Sequence, residues 1–113
     1  MKNIRSQSPE NIVNHWVEYF NNGNLECILD MYHEGATLLP TFLPNLLTTP
    51  EQIEDYFVRT IEGQASVEID DSQTIIKKLS ENMYLMTGVY IFCLKKKSNT
   101  KYLSWFTFLI DLS

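Results

Sequence analysis

Positive charge is scarce in this sequence. Nine Lys and Arg face 14 Asp and Glu over 113 residues, a net charge of −5. That balance argues against a nucleic-acid partner, because neutralising phosphates takes clustered Lys and Arg. The one basic cluster, Lys95-Lys96-Lys97, lies between two strand-like runs and reads as a solvated hairpin turn. Cysteine is scarce too. Cys27 and Cys93 are far apart, lack CxxC spacing and sit inside apolar patterns, where free cysteine behaves as a small buried hydrophobe. A reduced, cytoplasmic chain is the expectation. The N-terminal MKNIRSQSPE has no apolar signal-like stretch, and no run approaches the length that spans a bilayer, so no membrane contact is expected. Repeats, low-complexity tracts and linkers are missing, which leaves one domain over residues 1–113.

Recognisable catalytic machinery is missing as well. The two histidines, His15 and His33, fall in separate elements with no carboxylate at ligand spacing, so no metal site is expected. There is no Gly-rich phosphate loop, no Ser-His-Asp order and no Cys-His pairing, and no cofactor is implied. His15 sits between the apolar and polar faces of a helix, and His33 near a helix end, where a cation complements the dipole. Asp55 belongs to the acidic run Glu51, Glu54, Asp55 of a solvated helix face, and Asp70-Asp71 to a turn. None of these is put forward as catalytic.

What the chain does have is apolar material, 44 % of its residues, enough for a real core. Ser8-Pro9-Glu10 is a helix start, with a capping serine, a proline in the first turn and an acid at the positive end of the dipole. Ile12, Trp16, Tyr19 and Phe20 follow at helical spacing, widened by Val13 and Val17, and Asn21-Asn22-Gly23-Asn24 ends the helix. Leu25, Ile28, Leu29 and Tyr32 mark a second, shorter helix ending near His33. The stretch 30–57 organises the rest. A strand is expected through Ala36–Pro40, then a loop, Thr41-Phe42-Leu43, between Pro40 and Pro44, and then Thr49-Pro50-Glu51, which repeats the helix-start grammar. That loop is unusually apolar, folded onto the core or exposed for a partner. The third helix turns Ile53, Tyr56, Phe57, Thr60 and Ile61 inward and stops at Gly63.

Everything after Gly63 reads as strand: Ala65–Ile69, Gln73–Leu79, Asn82–Leu94 and Lys101–Leu112, the last two joined by KKKSNT as a hairpin. In the long strands both parities are apolar. Leu103, Trp105, Thr107 and Leu109 form one face of the last strand, and Tyr102, Phe106, Phe108 and Ile110 the other. A sheet apolar on both faces is covered on both. Helices cover one face, and the other needs a subunit partner or further chain; a homodimer through the sheet is the expectation. The pattern leaves open which parity faces inward.

Taken in order, Trp16 with Tyr19-Phe20, Met31-Tyr32 before Ala36, Leu39-Pro40-Thr41, Ile53 with Asp55-Tyr56-Phe57, Gly88-Val89-Tyr90-Ile91-Phe92 and Phe106-Thr107-Phe108 resemble the NTF2-like superfamily. That group includes SnoaL-like and ketosteroid-isomerase-like proteins. The likeness is strongest to the SgcJ/EcaC branch and to the association domain of calcium/calmodulin-dependent kinase II, and it covers nearly the whole chain. It implies an α+β cone, with N-terminal helices packed in the mouth of a curved, mostly antiparallel sheet. In that branch an arginine usually precedes the Phe-Thr-Phe strand motif and points into the cone, whereas here the position is Trp105. The branch also continues into a final strand where this sequence stops, at Asp111-Leu112-Ser113; either the sequence is cut short there or the sheet lacks a strand, and in the second case the last strand presents an edge open to a second chain. A carboxylate base of the isomerase type would fall at or near Pro40, which has no side-chain base.

Candidate ligand contacts are therefore aromatic: Trp16, Tyr32, Tyr56, Tyr90 and Trp105. Buried tyrosines need partners for their polar tips, which makes the three Tyr the sharpest candidates. Two functions are open. One is a noncatalytic module that binds a small apolar molecule or makes an oligomer. The other is a SnoaL-like isomerase, dehydratase or cyclase acting on a small apolar substrate.

Overall fold

A computed structural model describes residues 8–40, 45–95 and 100–112. The expected apolar loop at Thr41-Phe42-Leu43 and most of the Lys95–Asn99 turn lie outside the described residues.

Helix α1 spans Pro9–Asn21, and the Ser8 side chain accepts from the Asn11 N–H, as the sequence grammar requires. The stripe that it buries is Val13, Trp16 and Phe20, with Ile12 only half-buried. Gly23 takes the left-handed φ of 68° that reverses the chain. Helix α2, Leu25–Asp30, follows at once, its N-cap Asn24 accepting from the Cys27 N–H. It ends earlier than His33, and its one fully buried side chain is Ile28.

The expected strand at Ala36–Pro40 is reduced to a single antiparallel bridge, Leu38 with Leu47. The bridge carries two backbone bonds, of 3.0 Å and 2.8 Å. Pro40 has no N–H to extend such a ladder. Helix α3, Pro50–Glu62, opens with a full capping box: the Thr49 hydroxyl accepts from the Gln52 N–H while the Gln52 side chain accepts from the Thr49 N–H. It buries Ile53 and Phe57.

Strand β1, Ala65–Ile69, leads through a short 3-10 turn at Asp71–Gln73 into β2, Ile75–Lys78. Asp70 builds that turn, its carboxylate accepting from the Ser72 N–H and hydroxyl and from the Gln73 amide. β3, Met83–Leu94, is the central strand and β4, Thr100–Asp111, its hairpin partner. All pairings are antiparallel. β4 lines the full length of β3, so β1 and β2 must share the opposite edge of β3. β1 runs beside Tyr90–Leu94 and β2 beside Tyr84–Thr87. Gly88 sits opposite Phe106 and makes room for its ring.

The parity left open by the sequence is settled by burial. Phe106 and Ile110 face the helices, each 6 % exposed, while Leu103, Trp105 and Leu109 are 77, 82 and 62 % exposed on the far face. The main core gathers Trp16, Phe20 and Phe57 against Val67 and Phe92, and a second cluster joins Val13 to Met86, Phe106 and Ile110. No helix among the described residues is long and apolar enough to cross a membrane.

Candidate functional site

Between the helices and the concave face of the sheet lies a cleft of about 720 Å³. Its inner wall is aromatic: Trp16 and Phe20 from α1, Tyr32 after α2, Tyr56 and Phe57 from α3, and Tyr90, Phe92, Phe106 and Phe108 from the sheet. These rings hold one another. Trp16 stacks on Phe20 with centroids 5.3 Å apart, Phe57 meets Tyr32 and Tyr56 at 5.6 and 5.2 Å, and Tyr90 stacks on Phe106 at 5.8 Å. Offset and edge contacts of this kind add about 0.5–1.5 kcal/mol per pair beyond area burial.

Polarity enters this wall at a few points. The Trp16 indole N–H donates to the Tyr32 hydroxyl at 3.1 Å. Burial pushes the Tyr32 phenol well above its ordinary value. The Trp16 hydrogen bond opposes the shift, and neighbouring Tyr56 and Tyr90 add to it. Tyr32 therefore stays a neutral hydroxyl at any physiological pH, suited to hydrogen bonding and unsuited to taking a proton. Two carboxylates, Asp30 and Asp111, and the imidazole of His33 also line the cleft. His33 lies 4.0 Å from Asp111. No Lys or Arg lines it among the described residues.

The structure thus brings Trp16, Tyr32, Tyr56 and Tyr90 together from four elements of the chain. Trp105 stands apart from them. It is on the outward parity of β4 and reaches the cleft only where the cleft opens at that strand. Asp30 and Asp111 were not singled out by sequence reasoning. They are 81 positions apart in the chain, and only the fold carries both to one cleft. The remaining acids and bases are elsewhere. His15 is exposed beside Tyr19, and Asp55 forms an exposed ion pair with Arg59 at 3.1 Å. No group of three or more His, Cys, Asp or Glu able to hold a metal occurs among the described residues.

Residues 5–104 match the family model described as the calcium/calmodulin dependent protein kinase II association domain. The chain belongs to that family. Among solved structures it is similar to a putative association domain of the same description from Xanthomonas campestris, with a TM-score of 0.76 and 23 % identity over 97 % of this chain and 81 % of that one. It is also similar to an NTF-2-like protein of unknown function from Shewanella oneidensis, with a TM-score of 0.69, 16 % identity and coverage of 88 % and 81 %. A third likeness is to the beta subunit of benzoate 1,2-dioxygenase from Burkholderia mallei, with a TM-score of 0.74, 15 % identity and coverage of 100 % and 84 %. At these identities the likenesses establish the fold, which is the NTF2-like α+β fold. No curated protein matches the sequence.

Proposed function

We propose that this association-domain family member is an assembly module whose sheet joins copies of the chain. The carrying observation is the outward face of β4, where Leu103, Trp105 and Leu109 stand 77, 82 and 62 % exposed in one row. Each such side chain is worth about 1.5–3 kcal/mol when fully withdrawn from water, and a row of three marks an interaction surface. Ile75 of β2, in register with Thr87 and through it with Thr107, adds exposed apolar surface to the same face. The family description supports the reading, as does a similar fold that serves as an enzyme subunit. The test is sedimentation over a wide concentration range, on wild type and on Leu103→Lys with Leu109→Lys. Wild type is expected to self-associate and the double variant to remain folded and monomeric. A wild type that is monomeric throughout would sink the proposal.

The cleft favours a second role beside the first, the binding of a small apolar ligand that is neutral or cationic. Aromatic faces attract alkylammonium groups. With Asp30 and Asp111 lining the cleft and no Lys or Arg among its described lining, the cleft favours a cation over an anion. Calorimetry with choline and with its tert-butyl isostere separates the cases. Binding of choline alone indicates a cation site, equal binding an apolar site, and binding of neither removes the ligand role. An enzymatic reading would rest on Asp30, His33 and Asp111, the acids and the imidazole that line the cleft beside the tyrosines.

A further inference from the structure

We infer that the Tyr32 hydroxyl is a preset hydrogen-bond donor of the aromatic cleft, so that the molecule held there presents an uncharged acceptor oxygen on an otherwise apolar body. The inference rests on the ligand-binding reading of the cleft and names the group that such a ligand carries.

The direction of the Trp16–Tyr32 bond is fixed by chemistry. An indole N–H only donates, whereas a phenol both donates and accepts. The 3.1 Å contact therefore runs from Trp16 to the Tyr32 oxygen and uses acceptor capacity there. Neighbouring rings hold both partners in place. The indole stacks on Phe20 at 5.3 Å, tilts against Phe108 at 5.4 Å and meets Phe57 edge-on at 6.5 Å. Tyr32 is pinned by its backbone N–H, which donates to the Leu29 carbonyl at 3.2 Å, and by its own ring contact with Phe57. What remains over is the Tyr32 proton. Among the described residues none accepts it.

Three features make this proton a strong handle. Burial holds the phenol well above its ordinary pKa, so the O–H keeps its proton and stays a donor. Accepting from Trp16 polarises the same O–H and strengthens what it donates, since hydrogen bonds in a chain reinforce one another. The surroundings are rings that offer no strong acceptor, and a buried donor left unpaired is costly. A ligand oxygen placed against Tyr32 removes that cost.

The charge of the lining narrows the acceptor. Carboxylate and phosphate oxygens would accept well, but Asp30 and Asp111 line the cleft and no Lys or Arg does among the described residues. An uncharged oxygen, a carbonyl foremost, takes the proton without meeting that repulsion. The rest of the ligand meets Phe57, Phe106 and Phe108, which reward an apolar body. A volume of about 720 Å³ suits a small organic molecule. A site built around one such bond discriminates sharply against a ligand of the same shape that lacks the acceptor.

The experiment uses two probes of nearly one shape, cyclohexanone and methylenecyclohexane, which differ only in C=O against C=CH2. Each is titrated to millimolar concentration into wild type and Tyr32→Phe, followed by proton–nitrogen correlation spectra. Trp16 and Trp105 give the two indole signals, and Trp105→Phe assigns them. Tyr32→Phe is expected to weaken the ketone about tenfold and to leave the alkene within about twofold. In wild type the ketone is expected to move the Trp16 indole proton downfield, through the strengthened chain, and the alkene to move it less. That second reading needs no variant and stands if Tyr32→Phe does not fold. Equal losses of the two probes in Tyr32→Phe, or equal shifts of the Trp16 signal in wild type, overturn the inference and leave the cleft a ligand site. Binding of neither probe overturns the ligand reading and this inference with it.

Discussion

The Trp16–Tyr32 hydrogen bond gives a double-mutant cycle whose outcome can be worked from the structure. The Trp16 N–H reaches the Tyr32 hydroxyl at 3.1 Å inside the aromatic wall, and Trp16 itself is 8 % exposed. Tyr32→Phe leaves that N–H without its acceptor, which costs about 1–3 kcal/mol, the desolvation penalty of an orphaned buried donor. Trp16→Phe removes the donor and part of a ring stacked against Phe20 and tilted against Phe108. Its cost is about 1–2 kcal/mol, from the lost hydrogen bond and lost contact area. With both changes made no orphan remains, so the pair should cost about 1 kcal/mol less than the sum of the single changes. That gap exceeds the scatter of about 0.3–0.5 kcal/mol seen for independent sites. Urea unfolding followed by circular dichroism supplies the free energies. All four proteins must be held at one concentration, since self-association stabilises by mass action. Losses that add within about 0.3 kcal/mol would refute the claim that this bond is a coupled part of the wall.

Gly88→Ala should destabilise by about 1–3 kcal/mol on thermal or urea unfolding. Its new Cβ would stand 3.0 Å from the Phe106 ring and 3.1 Å from the Gln73 carbonyl, and that carbonyl is backbone that gives little. Thr49→Ala removes one half of the capping box and should cost about 1 kcal/mol, with Thr49→Ser recovering most of it. The Asp70 carboxyl is held below the ordinary aspartate value by hydrogen bonds from Ser72 and Gln73. A folded pKa below the unfolded one contributes stability that is complete above the unfolded value, about 3.9, and is lost as pH falls through the folded value. NMR titration should place the Asp70 midpoint below that of an unstructured peptide, and Asp70→Asn should flatten the acid limb of stability against pH.

The helices were legible because their starts are chemical statements. Ser8-Pro9 and Thr49-Pro50 announce caps that the structure forms as written. The segment Ala36–Pro40 misled because a few apolar residues bounded by Gly35 and Pro40 look like a strand, while Leu38 alone bridges to another segment, at Leu47, and the Ala36 N–H turns back to the His33 carbonyl. The facing of β4 was illegible for a different reason. Both of its parities are apolar, and only the position of the helices decides which is core. The same ambiguity governed the site. Trp16, Tyr32, Tyr56 and Tyr90 converge, whereas Trp105, grouped with them by residue type, stands on the opposite parity of its strand. Asp30 and Asp111 carry no local signal that would have joined them to these aromatics.

The placement of the two tryptophans has an optical consequence. Trp16 is 8 % exposed among rings, and Trp105 is 82 % exposed on the sheet. Their emission should separate into a blue component shielded from acrylamide and a red component that it quenches freely. Filling the cleft would perturb the first, and covering the outer face of β4 would shield the second. One unlabelled protein sample thus carries independent reporters for its two candidate activities.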